Sequence, residues 1–168
     1  KESLLLMEGF KRYIMDRCDI DDFEIIITSG ASESNANIIT MAARAFTSRK
    51  KQVPHLIISD AEHYSITKCA KQLESDSLIE LSTVKTHYGI VDEEKLRSVM
   101  RGNTYLISIT SANPDTGMIN DIKKLASVAE SAGIPFHTDA TQYFGRFPFS
   151  PNKYGIDAFS ASFHKFGG

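Results

Sequence analysis

Two short segments carry the groups best suited to chemistry. Ser160-Ala161-Ser162-Phe163-His164-Lys165 holds an amine that can form an imine with a carbonyl compound. Upstream, His137-Thr138-Asp139-Ala140-Thr141-Gln142 holds a carboxylate that could keep a pyridine nitrogen protonated. Those are the two groups a protein contributes to pyridoxal 5'-phosphate (PLP) chemistry. Each residue also has an ordinary reading. Lys165 alone would be a surface lysine, and Asp139 alone would belong to a structural hydrogen-bond network. A metal site is a third reading, since His137, Asp139 and His164 are all ligand types. It is set aside on the expectation that a strand turns positions 137 and 139 to opposite faces.

The elements that must position these groups follow from periodicity. Glu24–Thr28, His55–Ser59, Leu78–Val84, Thr104–Thr110, Pro135–Thr138 and Asp157–Ser160 read as strands. Between them lie helix-period segments. Ser32–Phe46 carries Ile38, Ile39, Ala42, Ala43 and Phe46 on one face, and a later segment carries Ile66, Cys69, Ala70 and Leu73. Asp92 can cap a short helix bearing Leu96, Val99 and Met100. Asp121–Ala132 turns Ile122, Leu125, Ala126 and Ala129 inward, and Gly133 ends it. Strand–helix alternation of this kind predicts an α/β fold, a mostly parallel sheet flanked by helices. Ligands of such sheets bind beyond the carboxyl ends of the strands.

The residues just after the strands are therefore the candidates. Thr28-Ser29-Gly30-Ala31-Ser32-Glu33 opens a helix, so the N–H groups of Ala31 and Ser32 and the Ser32 hydroxyl could hold a phosphate. The plainer alternative is an N-cap by Ser32. Glu62-His63 places an imidazole where it could stack on an aromatic ligand and pass protons, or serve only structure. Ser111-Ala112-Asn113-Pro114-Asp115-Thr116-Gly117 is a turn-rich loop in which Asn113 could donate to a ligand oxygen. Asp139 and Gln142 follow the next strand, and Ser162, His164 and Lys165 follow the last. The coincidence of a phosphate turn, a stacking imidazole, a buried carboxylate and a lysine favours the PLP reading over any residue taken singly.

Composition sets bounds. The chain has 168 residues and a formal net charge of −2, which gives no support for a nucleic-acid or membrane-surface partner. Runs such as Leu4-Leu5-Leu6-Met7 are far too short to span a bilayer, and no signal-peptide pattern is present. Cys18 and Cys69 show no metal or CxxC spacing, so buried, inert thiols in a reducing, cytoplasmic compartment are expected.

Taken in order, Thr28–Asn35, Glu62-His63, Ala112–Gly117, His137–Gln142 and Ser160–Lys165 resemble the cysteine desulfurases, the NifS/IscS-like branch of the class V aminotransferase group of fold-type I PLP enzymes. The resemblance implies a PLP-dependent transferase-like large domain. Residues 1–168 would be its central part, with an N-terminal segment and a small C-terminal domain outside it. It implies that Ala31 and Ser32 bind the phosphate with help from Ser162 and His164. His63 would stack on the ring, Asp139 pair with the ring nitrogen, and Gln142 bond the phenolic oxygen. Lys165 would be the Schiff-base residue. It further implies L-cysteine as substrate, L-alanine and an enzyme persulfide as products, and sulfur supply to iron–sulfur clusters or thio-cofactors. A homodimer and a sulfur-acceptor scaffold protein would be partners.

Three features depart from the family pattern. The second residue of its Asn-Asn-Glu loop is Pro114 here, which has no side-chain donor and leaves Asn113 as the only amide. Phe163 stands where the family has Gly, and is expected to crowd the lysine turn or reshape the pocket. Neither Cys18 nor Cys69 matches the sulfur-accepting cysteine, which the resemblance puts downstream, so turnover by these residues alone is not expected. The alternatives are another class V enzyme (selenocysteine lyase, cysteine sulfinate desulfinase or aminotransferase) or a degenerate, non-catalytic homologue.

Overall fold

The computed structural model describes residues 2–18, 20 and 23–167. Its centre is a parallel sheet of five strands: β1 His55–Ser59, β2 Glu80–Val84, β3 Thr104–Ser108, β4 Phe136–Asp139 and β5 Ala158–Ser160, in the order β2-β1-β3-β4-β5. β1 and β3 are buried at every position because both are interior strands with helices over both faces. β2 lies at an edge and alternates toward solvent. Register runs His55 opposite Glu80, Ile107 opposite Phe136 and Asp139 opposite Ser160.

Alternation along β1 splits the interior in two. Leu56 and Ile58 pack with Ile39 and Ala43 of α2 (Ala31–Lys50) and Ile66 and Ala70 of α3 (Tyr64–Ser75). Ile57 faces the other way, to Leu96 of α4 (Glu93–Val99) and Leu125, Ala126 and Ala129 of α5 (Ile122–Ser131). Both short helices start where the sequence predicts. Asp92 accepts from Lys95 N at 3.0 Å, and Asp121 from Lys124 N at 3.1 Å. Gly133 ends α5 with φ +65°, a backbone state that suits glycine.

A third apolar cluster lies beneath the last strands. Ile14 of α1 (Glu2–Cys18) joins Ala140 and Phe144, with Phe10, Phe159 and Phe166 against them. Periodicity reading assigned no element to this helix, although Phe10 and Ile14 stand one turn apart. It also passed over α6, the single turn Pro151–Tyr154.

The strand expected at Glu24–Thr28 does not form. Residues 23–28 form no regular element and pair with no strand among the described residues. Phe23 and Ile25 lean on the third cluster, while Ile26 and Ile27 are 66% and 43% exposed. β-branched residues favour a strand only when a neighbour takes their N–H and C=O groups. Among the described residues no helix is long and apolar enough to cross a membrane.

Phe136 is fully buried between β3 and α5. Phe136→Ala is expected to destabilise the fold by about 3–5 kcal/mol, seen as a lower urea midpoint at unchanged slope. A loss below about 1 kcal/mol would contradict this packing.

Candidate functional site

Four adjacent strands, β1, β3, β4 and β5, end in order across the sheet at Ser59, Ser108, Asp139 and Ser160. The loops that follow carry Glu62-His63, Asn113, Gln142 and Lys165, so four loops open at one end of the sheet. Asp139 lies deepest, 4% exposed. Its Oδ1 accepts from Thr141 N at 2.9 Å, and its Oδ2 accepts from the Asn35 side-chain amide at 2.8 Å. Ser111 donates twice to its carbonyl, from N at 3.1 Å and from Oγ at 2.9 Å. Each carboxylate oxygen keeps a lone pair for a further donor.

His137 shares the face of β4 with Asp139, because residues two apart on a strand point the same way. The expectation of opposite faces was wrong. What occupies the imidazole is a pair of serines: Nδ1 lies 2.8 Å from Ser108 Oγ and Nε2 3.1 Å from Ser160 Oγ. Burial pushes its pKa down to about 4, against the opposing pull of Asp139. It is a neutral strut below the site, with no nitrogen left over for a metal.

Glu62 is a second carboxyl in the floor. Ser59 Oγ donates to its Oε1 at 2.5 Å and Thr110 N at 2.9 Å, while Oε2 is buried without a partner. Burial, with Asp139 adding to it, pushes its pKa up to about 8. Glu62 is therefore a neutral acid at neutral pH, although sequence reading took it only as the neighbour of His63.

His63 caps α3. Its Nδ1 accepts from Ser65 N at 3.2 Å and lies 2.8 Å from Ser65 Oγ. A backbone N–H can only donate, so Nδ1 is the acceptor and the ring proton sits on Nε2. The ring is exposed and, with Ser32, lines an open groove of about 520 Å³ over α3. Among the described residues no acceptor takes the N–H groups of Ala31 and Ser32 at the start of α2, and the Ser32 side chain is exposed. Ser32 is not the cap: Gly30 occupies that position and provides no side-chain bond. Glu33 folds back past the helix start, accepting from Ser29 N and Ser29 Oγ, both at 2.7 Å; the hydroxyl bond is the larger cause lowering its pKa.

Lys165 lies in a 3₁₀ turn, Phe163–Lys165, docked on the preceding loop. Arg146 donates to Lys165 O from Nη2 at 2.9 Å and from Nε at 3.3 Å. Phe166 covers Gly145, where a Cβ would fall 2.7 Å from Phe166 Cβ at φ +76°. Neither Arg146 nor Gly145 was singled out by sequence reading. The Lys165 side chain is half-buried and forms no ion pair among the described residues. Ser162 is buried, its Oγ 3.0 Å from Nδ1 of the exposed His164. Gln142 is half-buried, and among the described residues its amide makes no hydrogen bond.

Two departures now have a physical account. Asn113 is committed on both sides of its amide: Nδ2 donates to Ala61 O in the loop after β1 at 2.8 Å, and Oδ1 accepts within its own loop from Asp115 N at 2.9 Å and Thr116 N at 2.8 Å. Its amide holds the Pro114 turn together, and only one Nδ2 hydrogen remains for anything else. Phe163 is seated against α1, its ring centroid 4.6 Å from that of Phe10 and 5.3 Å from that of Phe166, both edge to face. Cys69 is half-buried on α3; burial raises its pKa, so it rests as a thiol. The side chain of Cys18 lies outside the described residues.

The model of the family described as aminotransferase class-V matches residues 2–168. The chain belongs to that family. Class V aminotransferases of this kind are PLP-dependent. Among curated proteins, the cysteine desulfurase IscS of Histophilus somni is 34% identical over 155 residues, covering 92% of this chain and 38% of that protein. The cysteine desulfurase of Homo sapiens is 34% identical over 164 residues, covering 98% and 35%. The class V chain thus spans less than two fifths of the length of these relatives. Among solved structures, a NifS-like protein superposes with a TM-score of 0.91 at 29% identity, covering 99% of this chain and 46% of that one. SspA, solved in complex with cysteine, superposes with a TM-score of 0.73 at 33% identity, covering 82% and 39%.

The Glu62 pKa, raised in the folded state from 4.5 to about 8, has a consequence for stability. Its contribution is complete below pH 4.5 and is lost as pH rises through 8. His137 acts in the opposite sense, its contribution being lost as pH falls from 6.5 toward 4. The clean window for Glu62 is therefore above pH 6.5. Melting curves of the chain should fall by several degrees between about pH 6.5 and 8.5, and Glu62→Gln should flatten that fall. An equally steep fall in the variant would contradict the protonated state.

Proposed function

We propose that this chain is the cofactor-binding part of a PLP-dependent cysteine desulfurase, which takes sulfur from L-cysteine and releases L-alanine. The observation that carries the reading is Asp139: a buried carboxylate, held by one N–H donor on each oxygen, with lone pairs left over. A pyridinium N–H is a partner of the right sign and shape. The residues present fit the rest of the group as well. Ala31 and Ser32 offer unpaired N–H groups and a hydroxyl at a helix start, with Ser162 and His164 as further phosphate donors. His63 offers an exposed ring face and a proton on Nε2. Gln142 offers an amide to the phenolic oxygen, and Lys165 an unpaired amine.

Bound PLP supplies an electron sink for bonds at the substrate α-carbon. The protein's part would be to keep that sink protonated and oriented. Asp139 would hold a proton at the ring nitrogen. Lys165 Nζ would be the covalent anchor and an amine able to carry protons. Arg146 and Gly145 fix the turn from which that amine reaches. His63 is placed to pass a proton at Nε2. Asn113, with its amide committed, adds little. Cys69, resting as a thiol, does not match the sulfur acceptor of the family pattern.

A homodimer, a sulfur-acceptor scaffold protein, iron–sulfur or thio-cofactor assembly and a cytoplasmic setting belong to the same reading. One relative, from Candida albicans, is described as mitochondrial. A second reading keeps PLP and changes the substrate, to that of a selenocysteine lyase, a cysteine sulfinate desulfinase or an aminotransferase. The committed amide of Asn113 beside Pro114 favours it.

Incubating the intact protein with PLP and reducing with borohydride should leave a pyridoxyl group on Lys165, located by peptide mass, and Lys165→Ala should abolish it. An undiminished adduct in that variant would remove the lysine assignment. Alanine and sulfide release from cysteine, with no keto acid, separates the desulfurase from the second reading.

A further inference from the structure

The PLP reading leaves Asn35 unused. It is fully buried at the head of the α2 stripe Asn35, Ile39, Ala43, a place where an apolar residue would be the ordinary choice. Its Nδ2 carries two hydrogens, and both are engaged. One goes to Asp139 Oδ2 at 2.8 Å, the other to Ser65 Oγ at 3.0 Å. Ser65 Oγ in turn lies 2.8 Å from His63 Nδ1. Because Ser65 Oγ already accepts from Asn35, its own hydrogen is free to point at His63 Nδ1, beside the Ser65 N–H. Asn35 Oδ1 is buried and unpaired. Turning the amide over would pair that oxygen with a carboxylate oxygen, two acceptors face to face, so the unpaired atom falls on the oxygen. A buried acceptor without a partner is costly, and it is retained here because both hydrogens are needed.

We propose that Asn35 is a positioning residue: its side-chain amide holds the Asp139 carboxylate and, through Ser65, the His63 imidazole in one fixed arrangement. The inference rests on the PLP reading for its purpose, but its geometry stands without it. Asn35 follows Ala31 by one helical turn, so the helix that offers N–H groups to a phosphate also aims the carboxylate meant for the ring nitrogen. Phosphate, ring nitrogen and ring face are then referred to one rigid body.

The test separates aiming from general support. In the intact protein, affinity is compared for PLP and for an analogue in which C–H replaces the ring nitrogen. Asn35→Ala should weaken PLP on the order of tenfold and leave the analogue within about twofold. Equal losses for both, or no loss for either, would overturn the proposal. Asn35→Leu, of similar volume and without a donor, carries the comparison if the alanine variant does not fold. A cofactor-free arm uses amide exchange by NMR: both Asn35 side-chain hydrogens should exchange slowly, and Asp139→Ala should speed one of them. Rapid exchange of both in the unaltered protein would sink the proposal whether or not PLP binds. If the unaltered protein binds neither PLP nor the analogue, the PLP reading fails and this exchange measurement decides the Asn35 linkage by itself.

Discussion

A carboxylate buried as deeply as Asp139 is costly unless donors meet its oxygens, and meeting them organises the site. Thr141 N takes one oxygen, and Thr141 opens the turn that carries Gln142. Asn35 takes the other, which ties β4 to α2 and, through Ser65, to the cap of α3. Ser111 holds the Asp139 carbonyl from the loop after β3. Four separate elements are thus gathered around one negative group. The unpaired N–H groups of Ala31 and Ser32 sit on the same helix as Asn35 for that reason, not by independent placement.

The charge pattern around this anion is economical. Glu62, Asp139 and His137 are all buried; the two carboxylates would repel each other, and a charged imidazole would lose its solvation. Only Asp139 has an N–H donor on each oxygen. Glu62 has both its donors on one oxygen and nothing on the other, so it holds its proton. His137 has a serine hydroxyl on each nitrogen and stays neutral. The protein therefore presents one negative group where a single cationic ring N–H would be met, and removes the competing charges by geometry.

Much of the frame was legible. β1 and β3 read correctly because their central residues are apolar on both faces and are bounded by turn residues. α4 and α5 read correctly because Asp92 and Asp121 cap them as their spacing implies. The segment at residues 24–28 was misread because local β preference says nothing about whether a neighbouring strand exists. The first residue at each strand end was also legible, since α/β sheets bind ligands there. Asn35, Ser65 and Arg146 were not. Asn35 and Asp139 are 104 positions apart, and an asparagine on a helix reads as solvent-facing until the sheet is folded against it. One signal was present: Asn35 extends the Ile39, Ala43 stripe by a turn, so a polar residue stood at a core position.

By itself the sequence determined the alternation of strands and helices, the ends at which chemistry-bearing residues stand, and the family to which they belong. These are properties of local spacing, carried by side chains within a few positions of one another. Only the tertiary structure decided how the candidates differ in use. It tied Asn113 to Ala61 in the loop after β1, seated Phe163 against α1, made Glu62 an acid and His137 a strut, and brought Asn35 to Asp139. Each of those outcomes depends on burial and on a partner distant in the chain. The cost of removing a polar group from water is fixed only when the whole surrounding structure has closed over it.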